Sequence, residues 1–232
     1  MRPENKSLVR NLALFAEMTD EHFEKMLKGS FFQRFPANVI LIEEGAPADF
    51  LHVVVDGGVE LFASHNRRDC TMAVVRPVST FILAAVLKDA PYLMSARTAE
   101  ASHILMIPAE NLRTAMAADD ALARAMVVEL AGCYRAVVKS LKNHKLRSGA
   151  ERLANYLLRT HQIQGANDRI TLPIEKKMLA SVLGMTPENL SRAFATLKPY
   201  GVKVNGADIH LSQIDDLKIL AKPNPYIDDP RA

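Results

Sequence analysis

The stretch IEKKMLASVLGMTPENLSRAFATL, residues 174–197, encodes two short helices joined by a tight turn. Leu179, Val182 and Leu183 recur at the spacing of one helical face. Ala180 is small where two helices must cross closely, and Gly184 can take the positive φ that ends the first helix. Thr186 suits the N-cap of the second helix, Pro187 its first turn, and Glu188 the positive end of its dipole. Leu190, Ala193 and Phe194 form an inner face, while Glu188, Asn189, Ser191 and Arg192 point outward. The pattern is a helix-turn-helix whose second helix is a candidate reader of the DNA major groove; its rival is a plain packed helical hairpin.

Working outward, residues 202–204 and 209–211 flank Asn205-Gly206 as a hairpin, which makes the motif winged. Ser212 is expected to cap a last helix at about 215–220, and the tail KPNPYIDDPRA, residues 222–232, to be extended or disordered. Upstream, Ser148-Gly-Ala-Glu151 is a capping box that opens a helix to about His161, followed by a polar loop over 164–169 and a short strand over 170–173. Before the box, 109–116 is helical, and Asp119-Asp120 can cap a second helix that continues through 121–146 without proline. On that helix Val127, Leu130, Tyr134, Val137, Leu141 and His144 alternate in steps of three and four, a heptad seam. At about 1.5 Å per residue the helix outruns one small domain, so its remainder is expected to pair with a second copy of the chain.

From Phe35 to about Ile107 the hydrophobic period becomes strand-like, clearest at 38–43, 50–55, 59–64, 71–75 and 103–107. Gly45-Ala-Pro and Asp56-Gly-Gly punctuate it as turns. Many short strands with few helices indicate a β-roll or jelly roll, and residues 1–35 read as helical, with Thr19 capping a helix through Lys28. The fold class is therefore α+β, divided into a β-roll over 1–118, a dimerisation helix over 119–147, a winged helix-turn-helix over 148–221 and the tail over 222–232.

A net charge of +3 in 232 residues does not by itself announce a nucleic-acid binder. Local charge is available instead from Lys139, Lys142, Lys145, Arg147, Lys176, Lys177 and Arg192, although a solvated helix face accounts for most such residues singly. No apolar run reaches signal-peptide or membrane-spanning length, so no membrane partner is expected. Cys70 and Cys133 stand far apart and outside any metal-binding spacing, which points to a reducing, cytoplasmic setting. Each reads as a small packed hydrophobe, with a redox-sensing thiol as the alternative. The chain offers no Ser-His-Asp order, phosphate-binding glycine loop or metal-spaced cluster, so it is not expected to be an enzyme.

A β-roll, a long dimer helix and a C-terminal winged helix, in that order, resemble the CRP/FNR family of bacterial transcription regulators from about residue 14 to residue 220. EEGAPADFLHVVVDGGVELF, residues 43–62, looks like the family's strand-turn-strand signature with its glycine turns, and Glu188-x-x-Ser191-Arg192 matches the reading pattern of the FNR branch. The resemblance implies a homodimer on palindromic double-stranded DNA with TTGAT-type half-sites, read by Glu188, Ser191 and Arg192 with Thr186 and Asn189 beside them, and RNA polymerase as a further partner. It places Lys176 at a phosphate-contacting position, which orients the protein without specifying sequence. The chemistry agrees: arginine can donate twice to guanine and a carboxylate can accept from cytosine. Glu188 and Arg192, four apart, are expected to pair when no DNA is bound. In such a regulator a signal in the β-domain shifts the dimer helix and re-aims both reading helices.

The cyclic-AMP branch of the family holds its ligand with a Gly-Glu-Leu turn and an Arg-Ser pair. This chain has Leu83, Ala84 and Ala85, then Met94 and Ser95, at the matching positions, with Val137 and Val138 where that branch contacts adenine. A cyclic phosphate beside Met94 would lack a cation, so no cyclic nucleotide is expected. No cysteine precedes Cys70, so the iron–sulfur cluster of FNR is not expected either. What remains is an apolar effector pocket of Phe81, Leu83, Ala84, Leu87 and Met94 roofed by Val137 and Val138. The pattern of residues 79–100 is similar to the DNR/NNR branch, which implies a haem that responds to nitric oxide. His52, His65, His103, His144 and Cys133 are the candidate ligands, with no choice among them from sequence. The alternatives are a β-domain filled by its own side chains, always competent to bind DNA, and a winged helix that binds a protein partner.

Overall fold

The computed structural model describes residues 2–66, 68–165 and 168–229, so two residues of the expected 164–169 loop and the last three of the tail lie outside them. The described chain opens with α1 (Pro3–Arg10) and α2 (Asp20–Leu27), and the Thr19 hydroxyl caps α2 by accepting from the His22 N–H at 3.3 Å. The helical stretch expected to reach residue 35 stops there. Phe31–Phe35 is strand β1, paired antiparallel with residues 102–106. Phe31 packs edge-on to Phe50 and Phe32 stacks on His103, contacts that suit aromatic residues on a paired strand.

Strands β2 (Ile40–Ile42), β3 (Phe50–Asp56), β4 (Val59–His65) and β5 (Arg68–Val75) follow the expected runs. Then come β6 (Ser79–Phe81), helix α3 (Leu83–Lys88), β7 (Ser95–Thr98) and β8 (Ser102–Pro108). β6 and β7 are three and four residues long and carry too few alternations to stand out in sequence. Two four-stranded antiparallel sheets result, ordered β1-β8-β3-β6 and β2-β7-β4-β5. Leu51, Val53, Leu105 and Ile107 from one and Val59, Leu61 and Ala96 from the other join a single apolar core. Gly57 (φ +87°) turns β3 into β4 where a Cβ would run into Ser102.

Helices α4 (Ala109–Ala118) and α5 (Asp120–Leu146) meet at Asp119, whose buried carboxylate accepts from Leu122 N–H at 3.1 Å, as the expected cap. It also accepts from Thr19 N–H at 3.1 Å and His22 Nδ1 at 2.9 Å, tying α2 to the start of α5. The His22 bond above all, with the two backbone N–H groups, holds the Asp119 carboxyl down at about 2. Of the 27 residues of α5 only Leu122 and Met126 are buried.

The chain divides inside α5 into two compact units, Met1–Cys133 and Tyr134–Ala232. The second contains α6 (Gly149–Gln164), β9 (Arg169–Thr171), α7 (Lys176–Val182), α8 (Pro187–Leu197), β10 (Val202–Asn205), β11 (Asp208–Leu211) and α9 (Ile214–Ala221). Ser148 and Glu151 form the capping box of α6 in both directions. Ser212 does not cap α9; its hydroxyl donates to the Gly201 carbonyl at 3.2 Å, and α9 starts behind Gln213 without a side-chain cap. The tail is not extended throughout either. Asn224 accepts from Tyr226 N–H at 2.9 Å and Pro225 supplies the fixed φ of a first turn, so Pro225–Asp228 form helix α10. Among the described residues no helix is long and apolar enough to cross a membrane.

Asp119→Ala should destabilise the first unit by about 1–3 kcal/mol, because it leaves two backbone N–H groups without their acceptor. The Asp119 contribution belongs to the carboxylate, so in the parent chain it is present above the ordinary carboxyl range and lost as pH falls toward about 2. Denaturant melts of parent and variant, compared at neutral pH and at the acid end of this window, should converge on acidification.

Candidate nucleic-acid interface

Helices α7 and α8 form the anticipated pair. Gly184, at φ +63°, closes the turn between them, with its N–H donating to Ser181 O at 2.8 Å and Met185 N–H donating to Ala180 O at 2.9 Å. Thr186 caps α8, its hydroxyl accepting from Asn189 N–H at 3.3 Å. Leu179, Ala180, Leu183, Leu190, Ala193, Phe194 and Leu197 are all buried in the core of the second unit, which α6, β9, β11 and α9 complete. The complementary face of α8, with Thr186, Glu188, Asn189, Ser191 and Arg192, is exposed.

The expected Glu188–Arg192 pair is not formed. Arg192 Nη1 donates to Asn189 Oδ1 at 3.4 Å, and the Glu188 carboxylate turns back to the helix end. The Thr186 hydroxyl first, then the residue's own backbone N–H, hold Glu188 below the usual carboxylate range, with the Arg192 charge adding to them. Cap geometry wins because the helix N-terminus offers donors already fixed in place, whereas the pair needs two long side chains to be ordered. The face therefore presents one acceptor-only carboxylate and one donor-only guanidinium, with a hydroxyl between them. Lys176, at the start of α7, is half-buried, its Nζ 5.9 Å from the centre of the Phe194 ring. The wing pairs Val202–Asn205 with Asp208–Leu211, and β9 adds a third strand through Ile170 and Ile209.

Arg152 on α6 belongs to this region and was not singled out by sequence. Its Nε donates to Leu183 O at 2.8 Å, and its Nη1 donates to Arg147 O at 2.7 Å and His144 O at 3.5 Å. One guanidinium thus ties the end of α5 to the turn of the helix-turn-helix. No periodicity marks such a residue, because its partners are backbone carbonyls far apart in sequence. The His144 ring, expected on the seam, lies where a Cβ on Gly184 would meet its Cδ2 at 2.6 Å, and its Nδ1 donates to Ser140 O at 2.8 Å.

Elsewhere on α5, Val127, Tyr134, Val137 and Leu141 are between 53% and 72% exposed, Val138 is 37% exposed, and Leu130 is partly buried against the core of the first unit. In the first unit Phe81 and Leu83 are each 5% exposed and lie in the core, while Leu87 and Met94 pack against it from its edge. Ala84 faces solvent on α3. His52 on β3 is buried against the Phe81 ring at 5.3 Å, and burial lowers its pKa to about 4. His103 faces Asp56 and Phe32 at the surface, and His65 is exposed. Among the described residues no three His, Cys, Asp or Glu side chains converge as a metal site. Cys70 and Cys133 are exposed, contrary to the packed positions expected, because Cys70 lies on β5, the outermost strand of its sheet, and Cys133 on the open face of α5.

Comparison with known proteins gives each unit a counterpart. The cyclic nucleotide-binding domain family matches residues 32–119, and the Crp-like helix-turn-helix domain family matches residues 151–220. No curated protein matches the chain. Among solved structures, a candidate cyclic nucleotide binding protein from Ruegeria pomeroyi is 28% identical over 97% of this chain and 100% of its own, with a TM-score of 0.61. FixK2 from Bradyrhizobium japonicum is 22% identical over 84% of this chain and 98% of its own, at a TM-score of 0.71. DNR from Pseudomonas aeruginosa is 20% identical over 95% and 99%, at 0.52. These last two likenesses are of fold, and neither singles out a branch.

Gly184→Ala should cost the second unit about 1–2 kcal/mol through the left-handed backbone alone. Adding His144→Ala removes the ring contact and not the φ, so thermal melts of the double variant should recover only part of the loss.

Proposed function

We propose that the chain is a DNA-binding transcription regulator of the CRP/FNR type, as its two family matches support, and that it acts as a homodimer on a palindromic, FNR-type site with TTGAT-like half-sites. The exposed polar face of α8 carries the reading: with its other face sealed in the core, Glu188, Ser191 and Arg192 have the composition and freedom that base recognition needs. Lys176, at the N-terminal end of α7, supplies a phosphate contact that sets register. The apolar stripe Val127, Tyr134, Val137 and Leu141 supports pairing through α5, since large side chains exposed at seam spacing are covered by a matching helix. A two-fold dimer presents two α8 helices to half-sites about one helical turn apart. Such a protein works where DNA and RNA polymerase are, in the cytoplasm.

For the β-domain we propose a sensor filled by its own side chains. Phe81 and Leu83, expected to line an effector pocket, are buried in the core, and Met94 holds the sequence position at which the cyclic-AMP branch carries its phosphate-binding arginine. On this reading cyclic nucleotide is not its ligand. A haem that answers nitric oxide needs an open apolar cleft and an axial nitrogen or sulfur. His52 is neutral at physiological pH and near the right residues, but it is packed against Phe81 within the closed core. The residues present do not fit a porphyrin without displacing that ring.

Gel-shift titrations on an inverted TTGAT repeat test the DNA reading. Arg192→Ala should cost about 1–3 kcal/mol on the matched site and flatten base preference there. Lys176→Ala should weaken all sequences alike and lower the salt slope by about one; equal affinity of the parent for palindromic and scrambled DNA would refute the proposal. For the β-domain, freshly purified protein should show no Soret absorbance with or without nitric oxide, and calorimetry with cyclic AMP should show no micromolar binding.

A further inference from the structure

The joint between the long helix and the winged-helix body lies at Arg147–Ser148, where Ser148 leaves the helical conformation at φ −65°, ψ 163°. By covalent structure alone this is a two-residue hinge. The tail crosses it. Its near end is fixed to the body: Ala221 O accepts from Asn155 Nδ2 on α6 at 2.6 Å, and Lys222 meets Glu151 at 3.4 Å. Its far end grips α5. Asp228 accepts from Arg147 Nη1 and Nη2 at 2.7 and 2.6 Å, a two-point pair whose arginine side chain is only 6% exposed. Asp228 also accepts from Asn224 N–H at 2.7 Å, which closes the tail on itself. Lys139 donates to Asp229 O at 2.7 Å, and Lys142 lies 5.9 Å from the Tyr226 ring.

The side of the helix that is gripped matters. With Val127, Tyr134 and Leu141 as one set of seam positions and Leu130 and Val137 as the other, Lys139 and Lys142 fall on the back of the helix. The tail therefore holds α5 from behind and leaves the apolar stripe uncovered. It also lies beyond residue 220, where the match to the Crp-like domain ends.

We propose that residues 224–229 are a strap that locks the α5–α6 joint, so that the reading helix α8 turns with the seam helix as one body. The proposal rests on the reading of the chain as a DNA-binding dimer, because only there does the orientation of α8 relative to the seam affect an output. The strap and Arg152 divide the work: Arg152 fixes the helix end to the turn of the helix-turn-helix, and the strap fixes its back to the rest of the body.

Tryptic cleavage after Arg147 reads the joint directly, since the strap covers that side chain. Asp228→Ala, and a chain ending at Pro223, should each be cut there about tenfold faster than the intact dimer. Each should bind the palindrome about tenfold more weakly, as expected when loosening leaves about a tenth of the molecules correctly oriented. The shortened chain guards against misfolding of Asp228→Ala, because it uncovers Arg147 instead of leaving it buried without a counter-charge. Unchanged cleavage in the shortened chain, or faster cleavage with unchanged affinity, overturns the strap. An intact chain that binds no palindrome removes the DNA-binding reading instead, and the cleavage comparison then decides the strap alone.

Discussion

A helix end leaves its last carbonyl groups without intrahelical donors, and in this protein one guanidinium satisfies the ends of two helices. Arg152 donates to Leu183 O at the end of α7 and to Arg147 and His144 carbonyls at the end of α5. A lysine could not do this, because it concentrates its donors at one point where arginine spreads five around a rigid plane. The position of the helix-turn-helix relative to the last turn of α5 depends on this contact, and so does any use of α5 to move it.

The two faces of α8 have different commitments. Leu190, Ala193, Phe194 and Leu197 commit one side to the core. The opposite side then takes no part in the core; the helix end and its cap hold Glu188, and Asn189 accepts from Arg192. Positioning by backbone donors costs little entropy compared with positioning by other side chains. Glu188 and Arg192 consequently stand apart instead of neutralising one another.

Helix α5 carries opposite demands along its length. At its start Asp119 knots it to α2, and Leu122 and Met126 bury it in the first unit. Beyond Leu130, which packs against the same core, Tyr134, Val137 and Leu141 turn outward, and the contacts that hold the helix come from Arg152 and from the tail at its back. The β-domain, by contrast, spends its apolar residues on itself: Phe81 and Leu83 complete the core that unites the two sheets.

Wherever an element is specified by neighbours along the chain, it could be read in advance. The cap at Thr186, the turn at Gly184, the capping box at Ser148 and the inner face of α8 all depend on offsets of a few residues, so the helix-turn-helix and its outward face were legible. The order of roll, long helix and winged helix was legible for the same reason. The elements that escaped are those whose partners are remote. β1 is a strand because residues 102–106 lie beside it, the tail is a helical turn against residues 139–147, and Arg152 is a clamp because two helix ends converge on it. The identity of the outward residues was set by sequence alone; that Phe81 and Leu83 are buried in the core of the first unit was decided by tertiary packing. A local pattern fixes which face of an element is apolar, but only the folded chain determines what that face is buried against.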